Sequence, residues 1–362
     1  MKGLELVMKI KVAYFEILNI CNLNCQTCYN SSGFDGEHKE KREISVLQLR
    51  QAIETLLPLG LNRVLLSGGE PLLHTDFNGV LGLVNDYLRL VEKYPTLSFG
   101  IVTNGTVHNQ KLIDMLNTND RFTLQISLDG SCEEQNAKIR GAGNFKKTIE
   151  FAKQIKKKNP KPLLKMVITK DSINDVEPFY RLAVSLGFMP EFAFIYKSGN
   201  ACEDWKNKAL SAQQKLHVLR LMDKLNNELN VKPFMPLCTN TCPYVEDTDS
   251  MSVCIKTNGT IQPCQALYDD AHSIGNIFDF NLSNFENKVK SFAELAKKRT
   301  QQDYGCLKCP LKTNCGKGCL AEAVNLHGNP LGNDMGCEFR KMQLWGYDLK
   351  EALSQRKSRT IL

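Results

Sequence analysis

Three thiols constrain this chain more than anything else in it: Cys21, Cys25 and Cys28, spaced C-x3-C-x2-C at the end of a strand-like run. Soft thiolates select zinc or iron–sulfur clusters. A zinc knuckle draws four ligands from paired C-x2-C units, whereas three ligands suit a cubane that keeps one iron open; a reduced structural knuckle or scattered buried thiols are the alternatives. Residues 12–18, just upstream, are rich in strand formers, and the turn chemistry of Asn22 and Asn24 frees the backbone to wrap a cluster. A second motif, Ser67-Gly68-Gly69-Glu70-Pro71, closes the next strand-like run at residues 63–66. Its glycines let backbone approach a ligand closely.

The two motifs together closely resemble those of the radical S-adenosylmethionine (radical SAM) enzymes. The resemblance implies that Cys21, Cys25 and Cys28 hold a [4Fe–4S] cluster whose open iron chelates the amino and carboxylate groups of S-adenosylmethionine. It further implies that Gly68, Gly69, Glu70 and Pro71 form the turn that receives the amino group. Thr27 and Tyr29 join the cofactor contacts, Tyr29 standing at the aromatic place that follows the third cysteine.

A length of 362 residues bounds the chain to one large domain, or a large and a small one. With 42% hydrophobic and 23% charged residues it has the composition of an ordinary soluble globular protein. No run of eighteen apolar residues is present, so no membrane helix is expected, and residues 1–9 lack a signal-peptide core. The expected location is the cytoplasm. Fourteen cysteines with metal-ligand spacings read as cluster ligands rather than disulfides. Three clusters would bring the formal charge from +7 to about +2, which argues for neither nucleic acid nor a membrane surface. The basic run at residues 153–158 reads as a solvated helix end ahead of a phosphate patch.

Strand-like runs at residues 12–18, 63–66, 97–103, 122–128, 163–169 and 191–196 alternate with helical periodicity at 45–57, 76–93, 144–158 and 173–186. Six such units imply an α/β fold with a parallel sheet and helices outside. The resemblance names it as a partial (β/α)6 TIM-type barrel over residues 1–197. Barrels of this kind bind ligands at the carboxyl ends of the strands, where the sequence places the three cysteines, the glycine turn, Thr103-Asn104, Ser127, Asp129 and Tyr196. Turn chemistry alone also accounts for Thr103-Asn104-Gly105 and Ser127-Leu128-Asp129-Gly130. By resemblance, Thr103, Asn104 and Asp129 count among the cofactor contacts, Ser127 meets the ribose or methionyl part, Arg140 reaches the carboxylate and Ile195 packs on adenine. A surface ion pair for Arg140 and a plain core role for Ile195 are the alternatives.

Residues 198–237 read as a helical linker, with a long helix at 211–229 and Trp205 as packing. Beyond it, Cys306-x2-Cys309-x5-Cys315-x3-Cys319, followed by Cys337, has a regularity that a four-thiol zinc ribbon does not require. An Asn-Gly hairpin signal at Asn258-Gly259 precedes Cys264. This field resembles the SPASM domain, taken as residues 238–340 with a C-terminal helix or tail at 341–362. The resemblance implies two auxiliary [4Fe–4S] clusters. One takes Cys264 and Cys319 with the upstream pair Cys238 and Cys242; the other takes Cys306, Cys309, Cys315 and Cys337. The spacing departs from the family's, with sixteen residues between Cys242 and Gly259 and four between Cys254 and Gly259. If only one of Cys238 and Cys242 binds, an iron stays open for substrate. Cys132, Cys202 and Cys254 remain as inert small hydrophobes, or one of them donates a hydrogen atom, as epimerases of the superfamily require.

The resemblance implies an enzyme, an oxidoreductase in which an electron from the first cluster cleaves S-adenosylmethionine to a 5′-deoxyadenosyl radical that abstracts hydrogen from an unactivated carbon. The cofactor carries that chemistry, while the protein supplies position and a dry pocket. Auxiliary clusters suit net oxidation. The first expectation is cross-linking or epimerisation of a residue in a ribosomally made peptide, with electrons from a flavodoxin or ferredoxin-type donor. Only twenty residues precede Cys21, too few for a leader-binding domain, so a leader is expected to meet the barrel directly or to use a separate leader-binding protein. Oxidation or epimerisation of a small molecule such as an aminocyclitol sugar is the alternative. Anaerobic sulfatase maturation is disfavoured because Gln265 stands where those enzymes follow the hairpin cysteine with an aspartate. A non-catalytic scaffold ranks last, since Gly68, Gly69 and Glu70 are intact.

Overall fold

The computed structural model describes residues 9–33, 40–231, 242, 244, 251–267, 269–301, 304–311, 315 and 317–345. Six strands run parallel in the order β6-β5-β4-β3-β2-β1: Ile10–Leu18, Arg63–Gly68, Ser98–Thr103, Phe122–Ser127, Leu163–Ile168 and Met189–Phe194, numbered β1 to β6 along the chain. Alternation along each strand divides the sheet into two faces. One face, with Val64, Leu66, Phe99, Ile101, Phe122, Leu124 and Ile126, is buried against the helices. Helices α1 (Val46–Leu56), α2 (Phe77–Arg89), α3 (Gln110–Thr118), α4 (Glu133–Arg140), α5 (Phe145–Gln154) and α6 (Val176–Ser185) connect the strands, giving the expected partial barrel. The Ser45 hydroxyl caps α1 through the Gln48 N–H at 3.2 Å while the Gln48 side chain returns to the Ser45 N–H at 3.0 Å. Those two bonds satisfy orphan donors of the first turn.

Three details differ from the sequence reading, the first being α3, which the sequence reading did not expect. Helix α4, which carries Arg140, buries only Asn136 and Ile139, too few apolar positions to show a helical period. Lys157 is 7% exposed and is not solvated; its ammonium donates to the Asn119 carbonyl at 2.6 Å and faces Asp120 at 3.7 Å. Burial lowers its pKa.

The cysteine-rich half continues the barrel's own sheet. Strand β7 (Met251–Ile255) pairs parallel with β1, from Ile10 opposite Met251 to Phe15 opposite Ile255. Strands β8 (Thr260–Gln262) and β9 (Gly275–Asn276) extend it antiparallel to nine strands. One contiguous apolar core therefore holds Phe15 and Phe99 together with Ile261, Phe292 and Phe339. The expected Asn258-Gly259 tip joins β7 to β8. Helix α7 (Trp205–Lys208) and α8 (Ala212–Leu229) follow the barrel, and helix Cys337–Trp345 closes back on it through Phe339, whose ring lies edge-on to Phe194 at 5.9 Å. Trp205 packs with Ile195 and Ala201, so Ile195 sits in a small satellite cluster at 6% exposure. No helix among the described residues is long and apolar enough to cross a membrane.

Candidate active site

The loop after β1 carries Cys21, Cys25 and Cys28 without regular secondary structure and is held from four sides. Its base closes where the Cys21 N–H donates to the Ser32 carbonyl at 2.7 Å. Its middle ties to the end of α4, the Gln26 N–H donating to Ile139 at 2.9 Å. The turn after β2 zips along its start: Gly69 N–H to Leu18 O at 2.7 Å and Glu70 N–H to Ile20 O at 2.9 Å. The fourth side comes from residues 198–200, read as linker. The Asn200 N–H reaches Cys28 O at 2.9 Å, its side-chain amide reaches Cys25 O at 2.9 Å, and the Ser198 hydroxyl reaches Tyr29 O at 2.7 Å.

The glycines also answer a contact within the protein. A Cβ on Gly69 would overlap the Ile20 carbonyl, and one on Gly68, at φ +128°, would overlap the Leu18 carbonyl. Here the missing side chains let two protein loops meet.

Glu70 is 1% exposed, and both of its oxygens are engaged. Oε1 accepts from the Thr103 hydroxyl at 2.7 Å and the Leu72 N–H at 3.2 Å; Oε2 accepts from the Asn104 N–H at 2.7 Å. Burial pushes its carboxyl up to about 7, against those hydrogen bonds. Asn104 then donates to Cys21 Sγ at 3.6 Å and to Asn22 Oδ1 at 2.9 Å, linking the end of β3 to the cysteine loop. Cys28 Sγ lies 3.0 Å from Asn30 Oδ1.

On the opposite side Arg140 Nε stands 2.7 Å from Asp129 Oδ2, with the N–H off line, and its Nη1 stands 3.8 Å from Cys25 Sγ. Asp129 is fully buried and its Oδ1 accepts the Val167 N–H at 2.6 Å. Burial opposes the charge on Arg140, but Asp129 and the three thiols raise its pKa on balance. Asp129, expected among the cofactor contacts, also stands against Arg140. Burial also pushes the Cys21 thiol up to about 12 and Cys25 to about 11. A cation at the loop must therefore displace protons as it binds. Ser127 ends β4 opposite Lys165, half-buried on the unpacked face. Thr27 and Tyr29 are half-buried in the cysteine loop, and Pro71 begins a short 3-10 turn after Glu70.

In the second half, Cys306, Cys309, Cys315 and Cys337 line one cavity with Lys317, Asp334, Arg340 and Lys341. Burial raises the Cys264 thiol to about 11, with nearby Cys242 the next cause, and raises Cys319, with nearby Cys264 the next cause. Cys238 lies outside the described residues. Cys254 is 1% exposed on β7 and hydrogen-bonds the buried Glu16, whereas Cys132 and Cys202 are exposed. The described cysteines are all free thiols. No three His, Cys, Asp or Glu side chains among the described residues are gathered to hold a single metal ion. A cubane asks for a wider spacing, one thiolate per iron.

The radical SAM superfamily model matches residues 15–183, the stretch from β1 through α6 that builds this site. That stretch, just under half of the chain, is a radical SAM domain. Such a domain implies a [4Fe–4S] cluster and S-adenosylmethionine, and the donor set fits: three soft thiols on one braced loop at the carboxyl end of a parallel sheet. Among relatives, the chain is 25% identical over 346 residues to the mycofactocin maturase MftC of Mycolicibacterium smegmatis, covering 92% of this chain and 82% of that protein. It is 23% identical over 324 residues to the antilisterial bacteriocin subtilosin biosynthesis protein AlbA of Bacillus subtilis, covering 86% and 68%. Streptococcus suis SuiB bound to the precursor peptide SuiA shares the fold, with a TM-score of 0.69 at 16% identity over 90% of this chain and 75% of that one.

Proposed function

We propose that this radical SAM enzyme oxidatively modifies a residue of a ribosomally made peptide. The observation that carries the reading is the braced loop of Cys21, Cys25 and Cys28 beside the Glu70–Thr103–Asn104 cradle and Arg140. The names of two relatives, a mycofactocin maturase and a bacteriocin biosynthesis protein, support a peptide as substrate. In this reading Cys21, Cys25 and Cys28 hold the cluster that binds S-adenosylmethionine, and together these cofactors supply hydrogen abstraction from an unactivated carbon. Glu70 fixes the Gly68–Pro71 turn through the ends of β2 and β3, setting the wall that meets the amino group. Arg140, steered by Asp129, presents a cation to the carboxylate. Ser127 faces the ribose or methionyl part from the end of β4. Cys242, Cys264 and Cys319, with Cys238, hold one auxiliary cluster, and Cys306, Cys309, Cys315 and Cys337 hold the other, placed to accept the second electron.

The test is anaerobic reconstitution, addition of S-adenosylmethionine and dithionite, and mass spectrometry for 5′-deoxyadenosine with and without candidate peptides. The expected result is cleavage that Cys25→Ala abolishes, with a peptide that loses two hydrogens. Cleavage without change in any peptide, but with oxidation of an aminocyclitol, would replace the peptide by a small molecule. No cleavage from fully loaded protein would overturn the catalytic reading.

A further inference from the structure

A fully buried ion pair lies between the two groups of C-terminal thiols. Arg340 Nη1 and Nη2 stand 2.7 and 2.5 Å from the two oxygens of Asp334, and each side chain is 2% exposed. The remaining edge of the guanidinium faces sulfur, with Nε donating to Cys315 Sγ at 3.0 Å. On its other side Asp334 Oδ2 accepts the Cys319 N–H at 2.9 Å. The enclosure is tight: a Cβ on Gly318 would overlap both partners, and one on Gly336 would overlap Arg340. Of the other nearby cations, Arg299 is engaged with the carbonyls of Gly318 and Lys317 and the Lys317 ammonium with Leu331 O, while Lys341 lines the same cavity beside Cys337. Taking both charges out of water is costly and is offset only by good geometry. Stability alone does not account for an Nε aimed at the Cys315 thiol from a residue three positions after Cys337 on the same helix.

We propose that Arg340 is a positioning residue that raises the reduction potential of the cluster held by Cys306, Cys309, Cys315 and Cys337, making it the acceptor end of the auxiliary pair. The inference rests on the ligand assignment made above. Reduction adds one electron, taking the cube from 2+ to 1+ and the cube with its four thiolates from −2 to −3; no bond breaks and no proton moves. In the enzyme that electron comes from the substrate-centred radical, and in the test from a low-potential dye. A fixed guanidinium donating to a ligand sulfur stabilises the added negative charge. Asp334 tempers the effect by neutralising the far end.

The experiment is an EPR-monitored potentiometric titration of the full-length reconstituted chain, with the signal of this site identified by its loss in Cys306→Ala. Arg340→Gln, with iron and sulfide unchanged, is expected to disfavour reduction at least tenfold, a fall of 59 mV for one electron. Asp334→Asn is expected to shift the same signal upward, and Arg340→Lys to fall between Gln and wild type. Should Arg340→Gln fail to retain the cluster, the opposite signs expected for Asp334→Asn and Arg340→Lys decide the question. An unchanged potential in Arg340→Gln, shifts of the same sign for the Arg340 and Asp334 variants, or a wild-type potential below that of the Cys264 site would overturn the proposal. Iron short by one whole cluster in wild type, with no signal sensitive to Cys306, would overturn the ligand assignment itself.

Discussion

Single residues in the site hold one another in place, and their substitutions have distinct signatures. Asp129→Ala leaves Arg140 buried without its carboxylate and the Val167 N–H without its acceptor. Breaking a buried pair from one side costs about 3–5 kcal/mol, so urea unfolding is expected to show a loss of that size. Glu70 offers a pH test. Its folded-state pKa is raised to about 7, so the fold favours the protonated carboxyl. Its contribution to stability is present below the usual carboxylate range and is lost as pH rises toward 7. The stability of metal-free wild type relative to Glu70→Gln is therefore expected to decline from about pH 5 to 7.5, with a slope approaching ~1.4 kcal/mol per pH unit. A flat difference would show that the carboxyl ionises normally. The cysteines and the glycine turn were legible as motifs, since their spacing carries the information. The engagement of Asp129 with Arg140 was not, because an aspartate in a turn looks alike whether it faces ligand or protein.

At the level of elements, the strands were legible to within a few residues because each apolar run is bounded by turn chemistry. Helix α4 was not, since its buried face is a single isoleucine and an asparagine. The sequence also hid the most informative connection, residues 198–200. Gly199-Asn200 reads locally as a flexible joint, yet Asn200 grips the carbonyls of Cys25 and Cys28. Asn200→Ala removes the side-chain bonds to Cys25 O and Asn24 Oδ1 while sparing the backbone one. For a net hydrogen-bond value of ~1 kcal/mol, cluster absorbance is expected to bleach roughly five-fold faster in air than in wild type. Equal bleaching would mean that the barrel alone holds the loop.

For the whole molecule, the surprise is continuity. The Asn258-Gly259 hairpin was legible, but its docking beside β1 was not, because local pattern names a strand and never its distant neighbour. One sheet and one core serve both halves, so the barrel is not an independent unit. A fragment of residues 1–231 leaves the outer edge of β1 bare, and unpaired edges template association. Size-exclusion chromatography is expected to show it aggregated where the full chain is not. The same ladder also bears on how the molecule is made. Strand β1 leaves the ribosome well ahead of the strand that covers its outer edge, since β1 begins at Ile10 and that strand at Met251. Long-range pairing of this kind is slow and exposes edges while it waits. Until that strand emerges, the nascent chain carries an open seam beside the strand that leads into the three cysteines of the first loop.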